Sequence, residues 1–483
     1  MASGETVLKD ANMGFQNQLD LFKIPVSNLG VSDVKFVTFR SVNHFVTEGN
    51  VKFRIPGAGT AYHDMSEMYL KTVVKIVRGN GDPLPPKPEE IPPNPNAKAS
   101  GPESGGRSAG TSGDASAARA KRAVSDSDEG LFSVAPVNNL SDSLWNQAEI
   151  RLNDTVIMGG VSGYCYNSML NILLDEKAVS DQELQCAMFY KDTAGYMKNA
   201  SLSSLGGNEG LKKRANLMRE SRLVELQSRL DADVCKVGNY LINGVTIDVS
   251  LSPTSNAFRL MTANARMKDF VLEIQDVSLI VKQITPSPSV LIAHQEVLKS
   301  SMSRAKYFYM KEDLRKFTIS QNTQNAYFED AFNGSVPSSL AIAFVSGKSL
   351  SGDISTNPYD WQNFGISQIN ITVSGCPTAR GPIILDFDKG KYLQSYSDLY
   401  YNKSKTPTNG QRITLEEFAN GYSIFVVHID AQDGEKFYPT SRTGSVRLEL
   451  RFSRALPESV VMLAKASFPS SYEIDYQRNV YVN

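Results

Sequence analysis

Apolar and polar residues alternate along much of the chain, which is the pattern of half-buried β-strands. Many alternating runs are bounded by Gly, Pro, Asn or Asp, the residues that form turns between antiparallel strands. Strands are therefore predicted at residues 34–39, 51–55, 69–77, 148–153, 245–251, 270–284, 340–345, 367–373, 422–429 and 445–452. Helical periodicity is confined to short pieces near residues 168–177, 209–219 and 290–302. Because no rhythm of alternating strands and helices appears, the pattern predicts a mostly β sandwich or barrel.

Two features of the first half recur in the second half, in the same order. The segment "IRLNDTVIMGGVSGYCYNSMLNILL" (150–174) runs from an alternating strand through a turn into an apolar helix start, and residues 371–401 follow a similar course. Further on, Val245, Ile247, Val249 and Leu251 match Val446, Leu448, Leu450 and Phe452. Alternating strands also resemble one another by chance, so the pattern alone leaves two tandem β-domains and a chance similarity equally open.

One segment, from about residue 79 to residue 130, differs from the rest. It holds eight of the 22 prolines, and no aromatic residue lies between Tyr69 and Phe132. Such a segment cannot bury enough apolar surface to offset its ordering entropy, so it is predicted to be disordered. Strands are predicted on both sides of it, which indicates a long loop inserted within one β-domain. Long loops add little closure entropy, so a fold tolerates such an insert.

Composition and charge exclude several classes of protein. The net charge of −1 provides no global attraction to nucleic acid or to anionic membranes. The basic stretch "RAKRA" (119–123) is interpreted as solvated loop charge, with a nuclear-import or nucleic-acid patch as the alternative. No apolar run approaches the roughly 20 residues of a membrane span. The polar N-terminus lacks a signal peptide, which predicts a protein that is not secreted.

The four cysteines predict free thiols. They are Cys165, Cys186, Cys235 and Cys376. They lie far apart and form no CxxC pair, so a reducing compartment and buried thiols suit them better than disulfides or a zinc site.

Motifs that suggest catalysis fail on their spacing. The four histidines, His44, His63, His294 and His428, form no HExxH or HxH motif. "GGNEGLKKRA" (206–215) lacks the Ser or Thr after the lysines that a phosphate loop needs, and is interpreted as a turn into a basic helix start. In "GGVSG" (159–163) Gly163 follows Ser162 directly, so the segment is not the GxSxG of a nucleophile elbow. We therefore predict that the protein is not an enzyme and has no catalytic, cofactor-binding or metal-binding residues.

Segments along nearly the whole chain resemble one family of proteins. They include "LDLFKIPVSNLGV" (19–31), "FYKDTAGYM" (189–197), "GNEGLKKRA" (207–215), "SPSVLIAH" (287–294), "NPYDWQNFGISQINITVSG" (357–375), "EFANGYSIFVVHI" (417–429), "SVRLELRFSRALPESV" (445–460) and "EIDYQRNV" (473–480). In these segments the sequence resembles the hexon-type major capsid proteins of Polinton/Maverick elements and the related adintoviruses. The insert at 79–130 is the main departure, because the corresponding loop of the family is much shorter.

The resemblance implies a double jelly roll, two tandem eight-stranded antiparallel sandwiches with a few short helices. The first sandwich would span residues 19–286 and the second residues 287–483, with an N-terminal arm at 1–18. Proteins of this family form pseudo-hexagonal homotrimers that tile an icosahedral shell, without a cofactor. The implied partners are further copies of the chain and a penton-type single jelly-roll minor capsid protein, with no specific binding to nucleic acid or membranes. The implied location is the virion capsid, assembled inside the host cell, in its nucleus or cytoplasm.

Two other functions remain open at this point. A carbohydrate-binding β-sandwich is the first alternative, because Trp145 or Trp361 could stack on a sugar ring, although core or loop-anchoring positions suit both tryptophans better. An enzyme on a cupin-like sandwich is the second, and it lacks the His/Glu cluster that such a site needs.

Overall fold

The computed structural model describes residues 29–43, 49–57, 59–84, 134–160, 162–174, 180–202, 206–263, 269–300, 303–400, 412–429 and 438–482. The arm at 1–18 lies outside the described residues, and so does most of the insert at 79–130. The predicted disorder of the insert therefore stays a prediction.

Strands dominate the described residues. They are β1 (Val31–Arg40), β2 (Val51–Ile55), β3 (Tyr62–Arg78), β4 (Val134–Pro136), β5 (Trp145–Leu152), β6 (Thr155–Met158), β7 (Val224–Arg229), β8 (Ile247–Pro253), β9 (Leu260–Thr262), β10 (Phe270–Pro286), β11 (Ala305–Ile319), β12 (Asn325–Ser335), β13 (Ser339–Ser346), β14 (Ile366–Val373), β15 (Cys376–Pro377), β16 (Ile383–Ile384), β17 (Ile424–His428), β18 (Thr443–Phe452), β19 (Val460–Ile474) and β20 (Val480–Val482). All ten predicted strands are confirmed: β3 begins seven residues before its predicted start, and the other ends shift by at most three residues.

The helices are short. They are α1 (Leu140–Ser143), α2 (Tyr164–Leu173), α3 (Asp181–Cys186), α4 (Glu209–Leu217), α5 (Asn256–Arg259), α6 (Pro288–Lys299), α7 (Gly347–Ser351), α8 (Leu393–Asp398) and α9 (Leu415–Ala419), with 3-10 turns at Arg219–Ser221 and Asp233–Lys236. The three predicted helices correspond to α2, α4 and α6.

Four sheets form two jelly rolls. In the first roll, sheet 1A has the order β1-β10-β3-β7 and sheet 1B the order β2-β8-β5-β6. In the second roll, sheet 2A has the order β11-β19-β13-β17 with β20 beside β19, and sheet 2B the order β12-β18-β14-β15 with β16 beside β14. The paired strands are antiparallel and mostly far apart in the chain, as Greek-key connections require. The double jelly-roll fold is thus confirmed, with β4 and β9 as a small additional sheet.

The repeated segments occupy equivalent strands. The β5–β6 hairpin turns at Asn153 and Asp154, and the β14–β15 hairpin turns at Ser374 and Gly375. All four turn residues have positive φ, as two-residue hairpin turns that match the strand twist require. The two similar segments found in the sequence, 150–174 and 371–401, therefore begin in equivalent strands, β5 and β14.

The predicted match between β8 and β18 is wrong by two residues. Leu152 and Val373 each precede the hairpin turn, and their partners on the neighbouring strands are Ile247 and Val446. Ile247 therefore corresponds to Val446, not to Leu448. A two-residue slip leaves every side chain on the same face of the strand, so alternation cannot detect it.

Helix α2 of the first roll covers the outer face of sheet 2A. Residues of this face, such as Ala341, Ala343 and Leu463, share one buried cluster with Met169 and Leu170 of α2. Strands β13 and β19 are consequently buried on both faces along most of their overlap. Sheet 2A thus lies between the interior of its own roll and the first roll.

Candidate assembly junction between the two jelly rolls

A buried ion pair holds the centre of the junction between the rolls. Arg214 of α4 donates to Asp192 Oδ1 at 2.7 Å, and both side chains are at most 1% exposed. Arg214 also donates to the carbonyl oxygens of Tyr190, at 2.6 Å, and Pro136, at 3.0 Å. A guanidinium can be buried when carboxylate and carbonyl oxygens satisfy its donors, as they do here.

The same aspartate fastens the second roll. Asn357 Nδ2 donates to Asp192 Oδ2 at 3.0 Å, and the Tyr422 hydroxyl donates to the Asp192 carbonyl oxygen at 2.8 Å. We call Asp192, Arg214, Asn357 and Tyr422 the latch. Its residues come from four of the segments that carry the family resemblance, and sequence reasoning did not bring these segments together.

Lys191 adds a second contact beside the latch. Its Nζ donates to Glu417 Oε2 at 2.5 Å and lies 4.9 Å from the centre of the Tyr422 ring. Burial acts to raise the pKa of Glu417, but hydrogen bonds from Lys191 and from the Thr414 N–H outweigh burial and lower it. The carboxylate therefore stays charged and paired at neutral pH.

The segment "GGNEGLKKRA" begins helix α4 and packs closely against the backbone of residues 190–191. Asn208 caps α4 by accepting from the Leu211 N–H at 3.2 Å. A Cβ on Gly210 would lie 2.3 Å from the Lys191 carbonyl oxygen, so only glycine permits this close approach. The interpretation as a turn into a helix start is confirmed.

The segment "GGVSG" is also a corner between elements. Gly163 precedes α2 with φ of 111°, and a Cβ there would lie 2.8 Å from Leu314 of the second roll. Ser162 accepts a hydrogen bond from Lys316 Nζ at 3.1 Å. The serine thus contacts the second roll.

Aromatic rings from both rolls meet next to α2. Tyr166 packs edge-to-face on Phe258, Tyr359 and Trp361, with ring centres 5.6–5.9 Å apart. Trp361 and Trp145 are both 0% exposed, so neither can stack on a sugar from solvent. The carbohydrate-binding interpretation of the two tryptophans is therefore wrong, and their predicted place in the core is confirmed.

A buried polar cluster joins α2 to sheet 2A. Its buried members are Asn167, Asn171, Asp231, Asp233, Glu312 and Lys465, and Lys236, whose side chain is 31% exposed, lies at its edge. Burial would raise the pKa of Glu312, but Lys465 and Lys236 outweigh it and hold that pKa below its ordinary value. Burial and the charge of Glu312 raise the pKa of Asp233 to about 6.

The C-terminal segment returns to the first roll. Arg478 Nε donates to the Asn243 carbonyl oxygen at 2.7 Å, and Asn153 Nδ2 donates to the Arg478 carbonyl oxygen at 2.9 Å. This segment thus bridges the β5–β6 turn and the strand β20 of the second roll.

Among the described residues, the side chains on the outer face of sheet 1A are partly exposed, and we call this face the open face. Ion pairs cross it from Lys71 to Glu225 at 2.8 Å and from Lys75 to Glu273 at 3.1 Å. At its edge, Phe36 of β1 is 58% exposed. On the second roll, Ile384 and Leu393 are 67% and 60% exposed. Exposed apolar residues of this kind mark candidate contact surfaces.

A surface cavity of about 830 Å³ lies where 195–199 of the first roll meets loops of the second. Asp360, Lys198, Arg454 and Glu458 line it. Burial raises the pKa of Asp360 to about 6, against the opposing charge of Lys198.

Among the described residues, no group of three or more His, Cys, Asp and Glu side chains is placed to hold a metal ion. The four cysteines are free thiols, but only Cys165 and Cys235 are buried, while Cys186 and Cys376 are exposed. The prediction of buried thiols is wrong for the latter two, which lie at a helix end and in a two-residue strand. Helices long and apolar enough to cross a membrane do not occur in the described part of the chain.

No family model matches the sequence. One relative, the uncharacterized protein F54H12.2 of Caenorhabditis elegans, is 22% identical over 357 residues, which cover 72% of this chain and 82% of that protein.

Solved structures of similar fold come from viral capsids. The structure of the Sputnik virophage matches with a TM-score of 0.61 and 12% identity, over 100% of this chain and 94% of that chain. The PBCV-1 virus capsid matches with a TM-score of 0.54 and 8% identity, over 95% and 98% of the two chains. The Faustovirus major capsid protein matches with a TM-score of 0.50 and 8% identity, over 93% and 92%. At these identities the likeness defines the fold of the chain.

Proposed function

We propose that this protein is a major capsid protein, a structural building block without a catalytic role. The observation that carries this proposal is the fold, in which two jelly rolls pack together through a buried junction. The Sputnik virophage structure has a similar fold. The described polar clusters support it, because their side chains bond the two rolls to each other.

The building block is a homotrimer. Within one chain, the first roll covers the outer face of sheet 2A, while the equivalent face of sheet 1A is open. A copy that repeats the roll-to-roll contact would cover the open face with its second roll. Such a heterologous contact closes into a ring, and three chains of two rolls give a pseudo-hexagonal outline.

The exposed apolar residues support this arrangement. Val34 and Phe36, 48% and 58% exposed, lie at the edge of the open face. Leu393, 60% exposed, begins the helix that follows the hairpin of the second roll. Burial of such side chains between copies would stabilise a permanent trimer, whereas contacts between trimers in a shell would be smaller and more polar.

Mass in solution tests the trimer. Light scattering of the full chain should give three times the mass of one chain, and electron microscopy should show hexagonal particles or shells. Phe36→Glu should yield a folded protein with the mass of one chain, because it places a charge in the contact. Tyr327→Glu is the matched control, an exposed aromatic residue on sheet 2B, and should leave the trimer intact. A wild-type protein that stays monomeric under all conditions would overturn the proposal.

The finer assignments are part of the same proposal. The resemblance in sequence supports an origin in Polinton/Maverick elements or adintoviruses. It also supports a division into rolls at residue 286, a penton-type partner, icosahedral shells, and assembly inside the host cell. The arm at 1–18 would tie neighbouring trimers together. Deletion of residues 1–18 should then lower the yield of particles without changing the mass of the trimer, and an unchanged yield would argue against a role of the arm.

A further inference from the structure

The buried polar cluster contains the three groups needed to form an amide bond between side chains. Lys465 of β19 is 2% exposed, Asn171 of α2 is 0% exposed, and the side chain of Glu312 of β11 is 9% exposed. Lys465 Nζ contacts Asn171 Oδ1, so the amine lies against the side-chain carbonyl group. We propose that Lys465 and Asn171 form an isopeptide bond that covalently joins the two rolls, with Glu312 as the proton acceptor.

The carboxylates of the cluster lie next to the two nitrogen atoms that take part in this reaction. Glu312 Oε1 lies 3.5 Å from Lys465 Nζ, and Glu312 Oε2 accepts from Asn171 Nδ2 at 3.0 Å. Asp231 Oδ2 accepts from the same carboxamide nitrogen at 2.9 Å. Thus one carboxylate contacts both the nucleophile and the leaving group, and a second holds the leaving group in place. Positioning of this kind converts a slow bimolecular reaction into an intramolecular one.

The atoms and charges of the step balance. The Lys465 ammonium transfers one proton to Glu312, and the neutral amine attacks Cγ of Asn171 to form the new C–N bond. The bond from Cγ to Nδ2 then breaks, and Nδ2 takes a second proton from the former amine and leaves as ammonia. The products are a secondary amide, ammonia and a neutral Glu312 carboxyl group. The reaction needs no oxidant and no co-reactant.

The surroundings favour condensation over hydrolysis. Asn171 and Lys465 are at most 2% exposed, which keeps bulk water away from the carbonyl group. A small cavity of about 40 Å³ borders Lys465, enough for one molecule the size of water or ammonia. Lys465 and Lys236 hold the pKa of Glu312 low, so the first proton transfer is uphill and we expect a slow bond formation after folding.

The bond would join positions that are 294 residues apart in the chain. It would close a long loop that includes parts of both rolls, and this restricts the unfolded chain. This inference does not depend on the proposed capsid function, because the cluster lies within one chain.

Intact-mass spectrometry of the full chain tests the inference. The wild-type protein, measured after purification and again after prolonged incubation, should be lighter than its sequence by one ammonia molecule. Tryptic digestion should release one branched peptide that contains both Asn171 and Lys465, without cleavage after Lys465. A protein that keeps its full mass throughout, with both residues unmodified, would overturn the proposal.

Substitutions of the reacting residues distinguish a loss of the isopeptide bond from a loss of folding. Lys465→Met and Asn171→Ala should each restore the full mass. Glu312→Gln keeps the shape of the side chain but removes the proton acceptor. A folded Glu312→Gln variant should therefore also keep its full mass. Lys316→Met is the matched control, a lysine on the same face that bonds Ser162, and should still lose one ammonia molecule. Formation of the bond at an undiminished rate in the Glu312→Gln variant would contradict the assigned role of Glu312.

Discussion

Sheets 1A and 2A are equivalent sheets of the two rolls, yet their outer faces differ in chemistry. The face of sheet 2A beneath α2 carries small or apolar residues such as Ala341, Ala343 and Leu463, all at most 7% exposed, beside the buried charges of Lys465 and Glu312. The face of sheet 1A carries Lys71 and Lys75 in half-exposed ion pairs. The difference shows that the neighbour of a sheet, rather than its place in the fold, decides the composition of its outer face.

The latch and the ion pairs of sheet 1A mark the two extremes of this comparison. Arg214→Met should lower the free energy of unfolding by about 3–5 kcal/mol, because it leaves Asp192 buried without its cation. Denaturant unfolding followed by circular dichroism measures this loss. Lys71→Met, the matched control on the open face, should cost at most about 1 kcal/mol, since exposed pairs contribute little. If both variants lost the same free energy of unfolding, the latch would not hold the rolls together.

Enlarging a side chain on each face sharpens the comparison. Ala343→Leu should lower the free energy of unfolding by about 1–3 kcal/mol, because the face of sheet 2A has no room beneath α2. Val73→Leu on the half-exposed face of sheet 1A should change it by no more than about 0.5 kcal/mol. Thermal unfolding of both variants tests this. A tolerated leucine at 343 would mean that α2 packs loosely on sheet 2A.

The pH dependence of stability distinguishes buried from exposed carboxylates. Burial raises the pKa of Asp360 from 3.8 to about 6. A group whose pKa is raised on folding binds protons preferentially in the folded state, so its contribution to stability falls as pH rises between about 4 and 6. Asp360→Asn should therefore raise the free energy of unfolding at pH 7 by roughly 1–2 kcal/mol and flatten its pH dependence in that window.

An exposed carboxylate on sheet 1A provides the control for this measurement. Glu225, whose side chain is 60% exposed, pairs with Lys71. Glu225→Gln, which also replaces a carboxylate by an amide, is the matched control variant in the same measurements. Unfolding at a series of pH values measures all three proteins. A wild-type profile in the Asp360→Asn variant would contradict the assignment.

Alternation predicted most of the long strands but missed β11 and β19. Strand β19 begins "VVMLAKA", which is apolar at nearly every position because it is buried on both faces. Strand β11 carries six charged residues on exposed or junction positions, which hides its alternation. The class of fold could be predicted from the other strands. Strands β11 and β19 could be recognised only from the strands with which they pair in the structure.

The residues of the junction could not be predicted from the sequence. Lys465 lies in an apolar run, and nothing in that run indicates that its partners are Asn171 and Glu312. Likewise Arg214 and Asp192 are 22 positions apart, and Asn357 and Tyr422 of the second roll bond to Asp192. A charged residue in an apolar strand is the one signal that could have drawn attention to Lys465, because burial of a charge requires partners.

By itself, the sequence determined which side chains share a face and that the chain is mostly β. The period of two acts locally, so it can be read without knowing the fold. Only the tertiary structure decided which faces meet, the two-residue register of β8 relative to β18, and the partners of the buried charges. These depend on contacts between distant segments, and a period of two carries no information about what lies across a face.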